Sequence, residues 1–403
     1  MRVLLLCQLL PYPADSGTRM KTWNLVRWLG ARTELTLVGF ARDESHDDLA
    51  VLRRHCSVVH TVPLTREPWR DGLALGRTLW SGRPWVIERD RRRTMHALVR
   101  AVTRAQRFDV VHIDQLTMAQ YAGACAAAHT VLDLHDVLSR LSAQLAASPH
   151  APWQAWLWRR DCRRLRAYER SIAQRVDTIL TVSQADRRAL AEVIGPGRQV
   201  TVLPIGIDVE ALAPLARADG GARIVYIGTM FWPPNAEAVA WFLRAVWPRI
   251  RAARPDAQFA VIGARPPRAL RAAARGDRRV SFHGYVADPA PLLAGAAVTI
   301  APLRSGSGMR VKILTALAQE LPVVTTSLGC EGIDVVAGRD ALIADTPEAF
   351  AAATLRLLDD AALGRELGRN GRRLIEARYD YRSVLAGLEP IYGAGPAGGP
   401  RSS

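Results

Sequence analysis

The chain has 403 residues, 49% hydrophobic and 23% charged, with five cysteines and a formal net charge of +16. That mix excludes a wholly disordered chain, a collagen-like chain and a small disulfide scaffold, and the length predicts two or three domains. Lys21 and Lys312 are the only lysines among 54 basic residues, an arginine bias that fits either a GC-rich genome or a preference for anionic partners. The cysteines (Cys7, Cys56, Cys125, Cys162, Cys330) are scattered and form no pair at metal spacing. They predict a reduced intracellular protein without structural zinc or disulfides.

Arg2 to Leu6 is predicted to be a buried first strand. Its apolar run is too short for a signal peptide, and Pro11 and Pro13 follow it without a cleavage site. No run approaches the ~18 to 20 apolar residues of a membrane span. Further continuous runs follow at 35–38, 57–60, 109–113, 130–134, 178–182 and 199–203. Arg223 to Ile227 starts a second series, continued at 258–262, 280–283, 297–301, 322–325 and 340–344. Continuous rather than alternating apolar strands, separated by Ala- and Arg-rich helical stretches, predict parallel sheets covered on both faces. The boundary is placed near Pro204 to Gly221, where Asp219-Gly220-Gly221 reads as a connector. The tail 393–403 is low-complexity and is predicted to be disordered. Two such domains would face one cleft with the carboxyl ends of their strands.

Three loops carry candidate chemistry. After strand one, Pro11 to Arg19 contains Gly17 but matches neither a dinucleotide fingerprint nor a P-loop. His135, in Val131-Leu-Asp-Leu-His135-Asp136, follows a strand end. It can contact a sugar hydroxyl or phosphate, act as acid or base, or simply cap the next turn. His112 and Asp114 end the neighbouring strand and are weaker candidates. In the second half, Gly306-Ser307-Gly308 precedes a helix bearing Arg310 and Lys312. Glycines, a helix N-terminus and two cations together suit a diphosphate. Asn235 is predicted to cap a helix over Ala236 to Leu243.

The order of these motifs, with Thr181 to Asp186, Leu203 to Asp208, Phe282 to Val286 and Ala316 to Val324, resembles the GT-B glycosyltransferases of family 4 over nearly the whole chain. The resemblance implies an α/β fold of two Rossmann-like doubly wound domains. The first, 1–205, would bind the acceptor, and the second, 206–380, the nucleotide sugar. A helix over 381–392 would cross back to the first domain. Arg310 and Lys312 would hold the diphosphate, and Gly306, Ser307 and Gly308 would offer backbone N–H groups. Gly284, Tyr285 and Val286 would frame the base. His135 would contact the transferred sugar, Gly17 would lie beside the donor phosphate and the acceptor, and Glu331 and Gly332 would face the sugar. The implied reaction is sugar transfer with retention, in cell-surface glycan or specialised-metabolite assembly. It implies no metal and no cofactor beyond the nucleotide-sugar co-substrate, and a cytoplasmic enzyme with a glycan, lipid-linked or small-molecule acceptor.

Three departures mark a divergent subgroup. Ser307 and Thr315 stand where the family often has two Glu residues. Glu320 stands where Gly is usual. An Arg/Lys pair common after the first strand of the second domain is absent from Gly228 to Trp232. A non-catalytic binder of nucleotide sugars or polyanions is the alternative, with a nucleotide-sugar epimerase behind it. The Trp153 to Arg166 stretch reads either as an interfacial helix on anionic lipid or as a helix packing its Trp face inward. The Arg89 to Arg93 cluster reads as a solvated loop or helix start rather than a nucleic-acid patch.

Overall fold

The computed structural model describes residues 1–123, 125, 127–147, 152–215 and 221–393. The tail from 394 onward and Asp219-Gly220 of the connector lie outside the described residues. The chain divides into two units, Met1–Gly206 with the residues from Arg382 on, and Ile207–Tyr381.

The first unit holds β1 (Arg2–Cys7), β2 (Glu34–Ala41), β3 (Val58–Pro63), β4 (Phe108–Asp114), β5 (Ala127–Leu134), β6 (Thr178–Thr181) and β7 (Val200–Val202). They form a seven-stranded parallel sheet in the order β3-β2-β1-β4-β5-β6-β7. Its continuous apolar strands are buried because helices cover both faces, as Leu4, Leu6, Val38, Val111 and Leu132 show. Each such side chain contributes ~1.5 to 3 kcal/mol on burial.

The second unit holds β8 (Arg223–Ile227), β9 (Gln258–Ile262), β10 (Val280–Gly284), β11 (Val298–Ala301), β12 (Val323–Thr325) and β13 (Leu342–Ile343). Its order is β10-β9-β8-β11-β12-β13, again parallel. Phe242, Phe259 and Phe350 cluster in its core. These two parallel, helix-covered sheets are the α/β two-domain fold expected from the sequence.

Two local expectations need correction. The helix placed over Ala236 to Leu243 runs Pro233–Trp241, with Trp232 at the N-cap position. Proline supplies a helical φ and lacks the N–H that a first turn leaves unpaired, so the helix starts there. Asn235 therefore lies inside the first turn and is not its cap. The single final helix is two, Tyr381–Ala386 and Glu389–Gly393. Gly387 separates them, and Pro390 is tolerated only because it sits in a first turn. Where the chain leaves and re-enters the first unit, the Ile207 N–H donates to the Tyr379 carbonyl at 2.7 Å and the Tyr381 N–H to the Ile207 carbonyl at 3.0 Å.

Candidate functional site

In each sheet the strand order reverses beside the first strand, between β1 and β4 and between β8 and β11. Loops leaving the carboxyl ends of such strand pairs diverge and open a crevice. Gly17 lies at the first of these points and the Gly306–Arg310 loop with Lys312 at the second, while His135, Gly284 to Val286 and Glu331–Gly332 follow the strands β5, β10 and β12.

In the second unit, the loop after β8 starts at Gly228 and the loop after β11 holds Gly306 to Arg310. Lys312, one residue into the Val311–Ala318 helix, reaches across to the β8 side. Its Nζ donates to Tyr226 Oη at 2.8 Å and to Asn235 Oδ1 at 2.9 Å. Tyr226 Oη donates to the same Asn235 oxygen at 2.9 Å, and Asn235 Nδ2 donates to the Thr229 carbonyl at 3.0 Å. A β-carbon on Gly228 would stand 2.6 Å from Lys312 Nζ, so only glycine lets the ammonium approach the loop this closely. Burial, with Arg310 nearby, lowers the Lys312 pKa to about 7. An ammonium so desolvated favours an anionic ligand, because the anion restores the charged form.

Arg310 is buried and turned into its own loop. Its Nη1 donates to the Ser307 carbonyl at 2.6 Å and to the Gly308 carbonyl. It braces the loop whose glycines have φ of +140° at Gly306 and +74° at Gly308. Ser307 is buried in that loop. Ser305 Oγ donates to Glu237 Oε2 at 2.8 Å, which ties the loop to the Pro233–Trp241 helix. Thr315 Oγ1 donates to the Val311 carbonyl at 2.9 Å, so its hydroxyl has only acceptor capacity left for a ligand.

The loops after β8, β9 and β10 are bonded together. The Met230 N–H donates to the Ala264 carbonyl at 3.0 Å and the Gly263 N–H to the Gly284 carbonyl at 2.7 Å. A β-carbon on Gly263 would meet the Gly228 carbonyl oxygen at 1.9 Å. Tyr285 follows as an exposed ring, beside a half-buried Val286. Phe231 and Trp232 are also exposed, and the Arg265 guanidinium lies 5.7 Å from the Phe231 ring centre. Glu331 and Gly332 stand in the loop after β12, both half-buried, with Gly332 at φ +84°. That loop is held to the one after β11 by Thr326 Oγ1 donating to the Leu303 carbonyl.

In the first unit, Gly17 opens the Gly17–Gly30 helix after its cap Ser16. One turn on, Lys21 and Thr22 point at the carboxyl ends of β4 and β5, where Asp114 and Asp133 are register partners. Lys21 Nζ lies 2.6 Å from Asp133 Oδ1, and Thr22 Oγ1 donates to Asp114 Oδ2 at 3.0 Å. His135 Nε2 bonds Asp114 Oδ1 at 2.7 Å, and His112 Nε2 stands 3.5 Å from Asp133 Oδ2. Tyr392 Oη and His112 Nδ1 are 2.7 Å apart. All of these side chains are buried. Burial pushes both carboxyls up, but His135 at Asp114 and Lys21 at Asp133 outweigh it and hold each below the ordinary carboxylate value. Atoms of Asp114, Asp133 and His135 converge within 4.8 Å, a spacing that could hold a metal ion, yet one of the two carboxylates, Asp133, is already paired with the Lys21 ammonium.

The structure thus places Arg310, Gly306, Ser307 and Gly308 in the loop after β11 of the second unit with Lys312 just beyond it, and in the first unit it joins His135, through Asp114, to Thr22 of the helix that Gly17 opens. Lys21, Asp133, Tyr226, Glu237 and Tyr392 were not among the sequence candidates. Lys21 carried a signal, as one of two lysines.

Two family models match the chain, one described as Glycosyltransferase Family 4 over residues 17–211 and one as Glycosyl transferases group 1 over 221–360. A glycogen synthase of Mycobacterium tuberculosis is 26% identical over 330 residues, 75% of each chain. An uncharacterized 44.6 kDa protein in the cps region of Klebsiella pneumoniae is 23% identical over 181 residues, 41% of this chain and 45% of that one. Among solved structures, HepE of Anabaena in complex with UDP-glucose superposes with a TM-score of 0.68 at 14% identity, over 98% of this chain and 100% of that one. Sucrose-phosphate synthase of Thermosynechococcus elongatus does so with a TM-score of 0.71 at 18% identity, over 98% of both chains. These structures share the fold, the family models span both units, and the chain belongs to the GT-B glycosyltransferases of the family 4 type.

Proposed function

We propose that this glycosyltransferase takes a sugar from a nucleoside-diphosphate sugar and delivers it, with retention, to a glycan, lipid-linked or small-molecule acceptor in cell-surface glycan or specialised-metabolite assembly. The carrying observation is the Lys312 ammonium, held at the β8/β11 crevice by Tyr226 and Asn235 against a side-chain-free Gly228. The Arg/Lys pair missing from the Gly228 loop has a substitute there, one cation arriving from the opposite side. In this reading Lys312 and the N–H groups of the Gly306–Gly308 loop take the charge that develops on the leaving diphosphate. Arg310 keeps that loop in shape and adds positive potential. Tyr285 stacks on the base, His135 contacts the transferred sugar, and Glu331 and Gly332 complete the sugar contacts. HepE, which has the same fold, was crystallised with UDP-glucose, which makes UDP-sugars the first donors to try.

Removing a donor that stabilises developing charge typically costs ~10² in rate. Lys312→Ala is therefore expected to lower donor turnover at least about a hundredfold, read as release of nucleoside diphosphate. A variant within about threefold of the parent on this count would overturn the assignment. The protein's own cations are proposed to neutralise the diphosphate, so transfer is expected to persist in EDTA. Activity lost in EDTA and restored by Mg²⁺ would contradict that part. The anomeric configuration of the product, read by NMR, decides retention.

A further inference from the structure

The helix Pro68–Ser81 is built inside out. Among its described side chains the buried ones are small, Ala74 and Thr78. Its solvent side carries Trp69, Leu73 and Trp80, exposed by 59%, 51% and 93%. These fall at i, i+4 and i+11, with Gly76 at i+7 between them, which is one face of an α-helix. Burial inside the chain does not explain such a stripe, since Trp69, Leu73 and Trp80 face solvent. Asp71, the only acid of the helix, lies near Arg66 at 3.9 Å rather than on the stripe.

A second helix, Pro152–Ala173, is sorted by charge. Its two acids are turned inward. Asp161 Oδ1 accepts from the Trp85 N–H at 2.9 Å, and buried Glu169 accepts from the Ser139 N–H at 3.1 Å. Trp156 is 57% exposed, and Arg159, Arg163 and Arg166 are exposed at i+3, i+7 and i+10 from it. Arg160 lies over the Trp156 ring at 5.5 Å. The two helices are neighbours. The first ends at Gly82 in a left-handed cap, and the Arg83 carbonyl and Trp85 N–H that follow bond Arg164 and Asp161 of the second.

We propose that these two helices form a surface that docks the protein on an anionic lipid bilayer, with Trp69, Leu73 and Trp80 seated among the acyl chains and Arg159, Arg163 and Arg166 on lipid phosphates. Tryptophan suits the boundary because its ring is apolar while its N–H still needs a polar partner. Arginines on the neighbouring helix complement negative headgroups. A water-soluble partner would not require this pairing of an apolar stripe with a one-signed rim. The inference does not depend on the sugar-transfer reading.

The test is co-sedimentation of the full chain with vesicles of phosphatidylcholine alone and with one third phosphatidylglycerol. The parent is expected to pellet with the anionic vesicles and to be released by salt. Trp69→Ser, Leu73→Ser and Trp80→Ser combined should lower partitioning by at least about tenfold. Arg159→Gln, Arg163→Gln and Arg166→Gln combined should lower it about as much and remove the salt dependence. All six side chains are exposed, so unchanged melting curves and nucleotide binding are expected and show that the variants are folded. The proposal is overturned if the parent ignores anionic vesicles or if either variant partitions like the parent. It is also overturned if the parent sediments without lipid as a dimer that the first variant dissolves, since the stripe would then be a self-association seam.

Discussion

Lys312 carries a charge that its surroundings oppose, and this makes donor binding depend on pH. Burial and Arg310 bring its pKa down to about 7, from 10.5 in the unfolded chain. The folded state then holds fewer protons than the unfolded state between about pH 7 and 10.5, so stability rises with pH across that window. A bound diphosphate restores the proton, so affinity is fully present below about pH 7 and weakens above it. The Kd for the matching nucleoside diphosphate is expected to rise about tenfold per pH unit above 7.5, with proton uptake on binding seen by calorimetry in buffers of different ionisation enthalpy. Lys312→Arg should remove this dependence, because arginine keeps its charge. A Kd flat between pH 7 and 9 in the parent would contradict it. The residue scale is also where the sequence was least legible. Lys312 stood out through a glycine loop a few positions away. Lys21 had only its rarity as a lysine to mark it, because its partner Asp133 is 112 positions distant and only the sheet brings them together.

The turn after the Val311–Ala318 helix shows what a departure from pattern costs at the scale of an element. The Leu321 N–H donates to the Ala316 carbonyl at 2.9 Å and the Glu320 N–H to the Leu317 carbonyl at 3.0 Å, the paired bonds of a Schellman ending. Glu320 sits at its left-handed position with φ +58°, where the sequence already flagged the missing glycine. A side chain there costs about 1 kcal/mol. Glu320→Gly is expected to raise the Tm of the second unit by ~2 to 4 °C, measured by scanning calorimetry; an unchanged or lower Tm would mean that Glu320 makes compensating contacts. Strands were legible because a parallel sheet needs continuous apolar runs. The start of the Pro233–Trp241 helix was not. Asn235 looks like a cap in isolation, but Pro233 begins the helix two positions earlier, which leaves the Asn235 side chain to organise Tyr226, Thr229 and Lys312.

For the whole molecule, the notable feature is that the segment 382–393 returns to the unit that holds β1 to β7. The Glu389–Gly393 helix belongs to the first unit and places Tyr392 against His112, which in turn faces Asp133, the partner of Lys21. Tyr392→Phe would leave a buried imidazole nitrogen without its partner, at a cost of ~1 to 3 kcal/mol. The expected result is earlier urea unfolding of the first unit with unchanged nucleotide affinity in the second. A variant as stable as the parent would show that the phenol is dispensable to the network. The order of motifs made the two-domain architecture legible, but pairings between the last helix and the first sheet span nearly 300 positions and no local pattern records them.

The central claim is that a nucleoside diphosphate binds where Lys312 meets the Gly228 loop. The most direct measurement is a thermal-shift panel of UDP, GDP, ADP and TDP against the parent and Lys312→Ala. The account predicts stabilisation by one nucleotide over the others, lost in the variant. No shift with any nucleotide, together with tight salt-sensitive binding to DNA or other polyanions, would contradict it and leave a non-catalytic polyanion binder of the same fold.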